Sequence, residues 1–284
     1  MACDLHVHSN ASDGGFTPAE VIRHAHGIGL TCVSLTDHDT FDGIEDAWAM
    51  ARELSMPFIP GIEMTAVFHD QEIHILGYFL DCRDPGILEA LEKSHACADK
   101  RLDQITKNLT AQGLPVTMEE VRLEAGSGSK GRPHVARVMV RKGYVQTHQE
   151  AFDRYLGNYG SAYVPPKGFS PEEIYKLIRD AGGIPSIAHP GLLGRADMMK
   201  DDDIALHKEY GAMAIEIFHP RHDDFLVSYY MNLARKMDMG ISGGSDCHGS
   251  YYPVILMERK AVPDWVSEKF IEFYKLKTGK GLQD

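Results

Sequence analysis

Asp4-Leu5-His6-Val7-His8 is the stretch from which the fold is read, with Asp13 following in the next loop. Residues 3–7 predict a strand, and on a strand positions two apart share a face, so His6 and His8 reach one metal ion together. Working outward, Thr17-Pro18-Ala19-Glu20 has the form of a capping box with proline at the first helical position, opening a helix to about residue 29. Residues 31–35 predict a second strand, 43–54 a helix and 58–62 a third strand. Residues 64–68 and 72–79 then read as a hairpin around His69-Asp70-Gln71. Strands alternating with helices predict an α/β architecture with a largely parallel sheet.

The rhythm changes between residues 81 and 163, where strand signals vanish and helical patterns follow one another, interrupted by Gly126-Ser127-Gly128-Ser129. This segment predicts a mainly helical insertion. The alternation resumes with a second capping box, Ser170-Pro171-Glu172-Glu173, strands at 184–188, 214–218 and 239–243, and a last helix over 263–276. The expected organisation is a barrel built from residues 1–80 and 164–284, with 81–163 forming a lid over the substrate.

Bulk properties narrow the function. The 284 residues carry a net charge of −12, which argues against a broad surface for long duplex nucleic acid but leaves room for a small anionic substrate at a metal site. Cys3, Cys32, Cys82, Cys97 and Cys247 show no CxxC pairing and read as reduced packing residues. No apolar run approaches the ~20 residues that cross a bilayer, and MACDLHVHS is not a signal peptide, so a cytoplasmic protein without a membrane partner is expected. Nothing in the sequence sets the oligomeric state.

Further polar clusters fall beside the strands. Thr36-Asp37-His38-Asp39 follows an apolar run, which is where α/β folds place their active sites. Glu63 ends a strand, and a buried carboxylate needs a positive partner. His74 lies in Ile73-His74-Ile75-Leu76-Gly77, His189 in Ala188-His189-Pro190-Gly191, and Asp246 and His248 in Gly244-Ser245-Asp246-Cys247-His248-Gly249. Singly, each has an ordinary reading, such as a helix cap at Asp39 or a satisfied core histidine at His74. Jointly they do not.

In order and type these clusters resemble the four motifs of the PHP (polymerase and histidinol phosphatase) superfamily, spanning Asp4 to His248. The resemblance implies a distorted (βα)7 barrel with a helical insertion and up to three metal ions at its strand ends. It places His6, His8, Glu63 and Asp246 around one ion. Glu63 bridges to a second completed by His74 and His189, while Asp13, His38 and His248 hold a third. Asp37 is expected to orient a ligand. Imidazoles and carboxylates without thiolates suit two or three divalent ions, Mn²⁺ foremost and otherwise Fe²⁺ or Zn²⁺. Two such ions ~3.5–4 Å apart activate a bridging water and clamp a phosphoryl group, so a phosphoester hydrolase attacking phosphorus with a metal-bridging hydroxide is implied.

Within the superfamily the hairpin, the insertion length and Gly131-Arg132-Pro133-His134-Val135-Ala136 are similar to a group of 3′,5′-nucleoside bisphosphate phosphatases and 5′→3′ exoribonucleases acting on short RNA. Residues 125–149 carry Lys130, Arg132, Arg137, Arg141 and Lys142 and no acidic residue. Arg132 and His134, near a helix N-terminus, are candidates to bind a second phosphate. Arg137, Arg141 and Lys142 read equally well as a solvated basic helix. Arg221 or His222 is a candidate to contact phosphate or protonate the leaving oxygen, His219 less so. Tyr163 and Phe169 are candidates to stack on a base. Three other readings stay open: a histidinol-phosphate phosphatase, a non-catalytic metal-binding module and a metallo-amidohydrolase.

Overall fold

The expected strands close into a barrel whose seam runs through the histidines of the first motif. The computed structural model describes residues 2–126, 128–192, 198–251, 257 and 262–281. Ser127, part of the glycine–serine stretch, lies outside the described residues. In chain order the elements of the first half are β1 (Ala2–Val7), α1 (Pro18–Gly27), β2 (Leu30–Leu35), α2 (Ile44–Glu53), β3 (Phe58–Phe68) and β4 (Gln71–Tyr78). Helices α3 (Pro85–Ala111), α4 (Met118–Ala125), α5 (Arg132–Arg141) and α6 (His148–Ala151) follow, then a π-helical turn at Phe152–Leu156. The second half holds α7 (Pro171–Asp180), β5 (Ile184–Ile187), α8 (Asp201–Tyr210), β6 (Ala214–Phe218), α9 (Asp224–Lys236), β7 (Gly240–Gly243), β8 (Val262–Pro263) and α10 (Trp265–Thr278).

The sheet order is β7-β6-β5-β4-β3-β2-β1-β8. The runs β1–β2–β3 and β5–β6–β7 are parallel, and β4 is antiparallel to both its neighbours. That reversed strand is the distortion of the barrel. Closure comes from the segment after β7: Asp246 N donates to His6 O at 2.9 Å and His8 N to Cys247 O at 3.0 Å. Both capping boxes form, at Thr17 with Glu20 and at Ser170 with Glu173. Residues of β1 are buried along its whole length, as a parallel strand covered on both faces requires.

One expectation is corrected. The strand at 58–62 and the hairpin arm at 64–68 are a single strand, β3, which does not stop at Glu63. Ile62, Met64 and Ala66 are wholly buried on one face, while Glu63 and Thr65 lie on the other, pairing with Leu76 and His74 of β4. An inward carboxylate looks like a terminator in a linear pattern, yet it leaves the backbone ladder intact.

Four clusters of apolar side chains hold these layers. Ile62, Ile75, Ile178, Ile187 and Ile215 belong to one barrel cluster. Leu102, Ile105, Leu109, Val121, Val135 and Met139 form a separate cluster among α3, α4 and α5. Among the described residues no helix is long and apolar enough to cross a membrane.

Candidate metal centre

Glu63 is the hub of the site. Its backbone is held on both sides by the segment after β2, with Glu63 N donating to Asp37 O at 3.2 Å and Asp39 N to Glu63 O at 2.9 Å. Its Oε1 lies 3.1 Å from His74 Nδ1 and 3.0 Å from His189 Nε2. Its Oε2 lies 3.2 Å from each of His6 Nε2, His8 Nε2 and His38 Nδ1. Asp246 Oδ1 is 3.2 Å from His8 Nε2 and 3.6 Å from His6 Nε2, and Asp13 Oδ1 is 3.3 Å from His248 Nε2.

Three overlapping sets bring ligand atoms within 4.8 Å of one another: His6-His8-Glu63-Asp246, His8-Asp13-His38-His248 and His38-Glu63-His74. The first has the composition expected from the sequence. The second adds His8 to the expected trio, and the third holds His38 where His189 was expected, although His189 meets the same Glu63 oxygen.

The residues around these side chains explain why they converge. Glu216, on the inward face of β6, accepts from His6 Nδ1 at 3.0 Å and from His189 N at 2.6 Å. Glu216 is not among the residues that the sequence singles out. Its signal was there, since a glutamate inside an apolar strand repeats the pattern of Glu63. Among the described residues no hydrogen bond joins the Asp37 side chain to a ligand ring. Asp37 takes Ser9 N at 2.7 Å and the hydroxyls of Ser9 and Ser12, both at 2.6 Å, and so braces the loop that carries Asp13. Gly244 packs its α-carbon against His6, where a Cβ would collide with the His6 backbone and Cβ. Asp39, His189 and Asp246 all adopt positive φ, at 51°, 25° and 53°. Such backbone costs about 1 kcal/mol or more per non-glycine residue and gathers at functional sites.

The electrostatics call for cations. Burial alone would raise the Glu63 carboxyl, but His6, His74, His38 and a hydrogen bond from His189 hold it well below the usual carboxylate range. Burial would depress His8, yet hydrogen bonds to Asp246 and Glu63 lift it to about 10. Asp13 and Asp246 are likewise driven down, against the effect of burial, by His248 and neighbouring rings. His8 Nδ1 and His219 Nε2 are buried without a hydrogen-bond partner, and Glu63 Oε2 is crowded by three imidazole nitrogens at 3.2 Å. Oxygen and imidazole donors aimed at shared points and left unsatisfied by one another fit divalent ions, and the donor set fits them chemically.

A cavity of about 340 Å³ opens from these residues toward the helices. Arg132 and His134 line it, as do Arg101, Lys130, Lys167 and Arg221. Arg132 donates to Glu72 Oε1 at 2.8 Å and to Leu156 O at 3.2 Å, and Arg101 also pairs with Glu72. His134 has both nitrogens in use: Nδ1 accepts from Gly131 N at 3.1 Å and Nε2 donates to Ser12 O at 3.2 Å. His222 is not among the lining residues. Its Nδ1 donates to Ile217 O at 2.8 Å and its Nε2 accepts from Gly191 N at 3.2 Å, so the ring fixes the turn after His189. Arg141 and Lys142 pair with Glu124 and Glu120, away from the cavity. Tyr163 and Phe169 do not line it either. The aromatic wall is Phe152, from the π-helical turn, which the sequence did not single out.

Residues 4–164 match the PHP domain family. The chain is 32% identical over 245 residues to a 5′-3′ exoribonuclease of Haemophilus influenzae, covering 86% of this chain and 89% of that one. It is 30% identical over 246 residues to a 3′,5′-nucleoside bisphosphate phosphatase of Chromobacterium violaceum, covering 86% of each. Its fold superposes with a TM-score of 0.87 on a protein of Bifidobacterium adolescentis assigned as a metal-dependent phosphoesterase, at 26% identity over 95% of this chain and 96% of that one.

Proposed function

The chain belongs to the PHP domain family and is a metal-dependent phosphoesterase, and we propose that its substrate is a nucleoside 3′,5′-bisphosphate or a short 5′-phosphorylated RNA. The observation that carries this reading is the position of Glu72. Its Oε1 lies 3.5 Å from His74 Nε2 and 2.8 Å from Arg132 Nη2. The guanidinium is therefore one carboxylate away from the metal cluster, a separation suited to a substrate with two phosphates.

In this reading His6, His8, Asp13, His38, Glu63, His74, His189, Asp246 and His248 hold two or three divalent ions, Mn²⁺ first among them. When bound, such ions activate water and neutralise charge on the phosphoryl group. Arg132 and Lys130 take the second phosphate. Arg101 and Arg132 share a single carboxylate, which leaves a surplus positive charge facing the cavity. Val67, Leu102, Phe152 and Pro166 form an apolar wall that accepts the base. His134 keeps the first turn of α5 in place, and residues 81–163 act as the lid that excludes water. Names of the relatives in Haemophilus and Chromobacterium support the same substrate class.

The test is phosphate release by chelator-stripped, Mn²⁺-reloaded protein from adenosine 3′,5′-bisphosphate, beside histidinol phosphate and a short 5′-phosphorylated RNA. Turnover of the bisphosphate or the RNA, and not of histidinol phosphate, is expected. Turnover of histidinol phosphate alone would overturn the substrate. Metal binding without turnover of any of the three would point to an amidohydrolase or a binding module.

A further inference from the structure

The helical segment between β4 and β5 grips the loop that carries Asp13. Three consecutive carbonyls of that loop accept hydrogen bonds from it: Ala11 O from Ser129 N at 2.9 Å, Ser12 O from His134 Nε2 at 3.2 Å and Asp13 O from Arg137 Nη2 at 2.5 Å. Asp37 holds the other side of the loop through Ser9 and Ser12. The approach is close enough to need glycine at 128, where a Cβ would stand 2.8 Å from the carbonyl oxygens of Asn10 and Ala11.

Arg137 makes a second contact that a solvated basic helix does not explain. It is only 8% exposed, and its guanidinium carbon lies 3.8 Å from the ring centroid of Tyr251. Tyr251 ends the short turn Gly249–Tyr251, which directly follows His248. One guanidinium thus bridges the segments bearing Asp13 and His248, whose side chains meet at 3.3 Å. Burying an arginine is costly, and a planar fork that donates to a carbonyl while stacking on an aromatic face is what arginine, and not lysine, offers.

We infer that Arg137 is a positioning residue for the ion held by Asp13, His38 and His248, an inference that rests on the metal reading proposed above. Outer contacts of this kind set the geometry of metal ligands without touching the ion. Arg132 begins the same ten-residue helix. One helix therefore carries both the candidate substrate contact, at its start, and this positioning residue further along.

The experiment is Mn²⁺ titration of the chelator-stripped full chain, with Mn²⁺ per chain also counted after gel filtration, for wild type, Arg137→Met, Tyr251→Ala and Asp13→Asn. Arg137→Met is expected to weaken tenfold or more the same binding step that Asp13→Asn weakens, and to leave the other steps unchanged. Tyr251 is half-exposed, so Tyr251→Ala tests the same bridge if Arg137→Met fails to fold, and it should shift the same step. Titrations of both variants that superpose on wild type, while Asp13→Asn loses a step, would overturn the inference and leave the metal reading standing. Equal weakening of every step would also overturn it. An Asp13→Asn titration identical to wild type would remove the ion at this position and the inference together.

Discussion

Glu216 Oε1 stands 3.0 Å from His6 Nδ1 with neither side chain reaching solvent. The carboxylate accepts a hydrogen bond from Nδ1 and thereby fixes the ring with Nε2 facing Glu63 and Asp246. Through its other oxygen it also fixes the backbone of His189. Carboxylates placed behind metal-binding imidazoles contribute about 10–100-fold in affinity or activity. Glu216→Gln is expected to lower Mn²⁺ affinity by that order, read by competition with a chromogenic chelator, with part of the activity restored at saturating metal. An unchanged affinity would show that His6 is oriented by something else.

Arg132 should separate substrates by their number of phosphates. Losing a charge-assisted hydrogen bond costs about 1.5–3 kcal/mol, or roughly 10–150-fold. Arg132→Ala should therefore cut kcat/KM for adenosine 3′,5′-bisphosphate by that factor, mainly through KM, and change p-nitrophenyl phosphate turnover less than threefold. Equal losses on both substrates would place Arg132 with the reacting phosphate.

Much of this centre was legible because its signals are local. His6 and His8 declare a shared face by their spacing on β1, and the capping boxes at Thr17 and Ser170 are four-residue patterns that need no tertiary context. Glu63 was read as a strand end because an inward carboxylate interrupts the apolar pattern without interrupting β3. Glu216, the grip of Asp37 on Ser9 and Ser12, and the reach of Arg137 to Asp13 join residues far apart in the chain, so no spacing rule shows them. His222, Tyr163 and Phe169 were nominated by type and neighbourhood. Which way each ring faces is decided by packing: His222 turns to Ile217 and Gly191, while Phe152 reaches the cavity from a π-helical turn.

Chelation should destabilise the fold as well as stop turnover. Glu63 is wholly buried and meets imidazole nitrogens on both its oxygens, so ions binding there stabilise the folded chain over the unfolded one. At a free ion concentration of ~100 Kd the gain is about 2.7 kcal/mol. In a chain of this size that corresponds to roughly 5–10 °C in Tm. Thermal melts with and without Mn²⁺ after EDTA treatment should show this shift. In Glu63→Gln most of it should disappear, and a full shift retained in that variant would deny Glu63 its central place.

His207 should give the protein an acid-sensitive stability that is independent of the metal centre. It is fully buried on α8, with Nδ1 2.5 Å from the Tyr175 hydroxyl, and burial lowers its pKa from 6.5 to about 4. Between these values the unfolded chain binds a proton that the folded chain refuses. Stability therefore falls as pH drops below 6.5, and this contribution levels off below about 4. From pH 7.5 to 5 the loss is about 2 kcal/mol, taking ~1.4 kcal/mol per unit. Urea unfolding of metal-free wild type and His207→Asn at both pH values isolates the effect, because every other titration is common to the two. The variant should be less stable at pH 7.5 through lost packing, yet lose about 2 kcal/mol less than wild type on acidification. Equal losses would mean that His207 is protonated in the folded chain, with its charge met by Asp203.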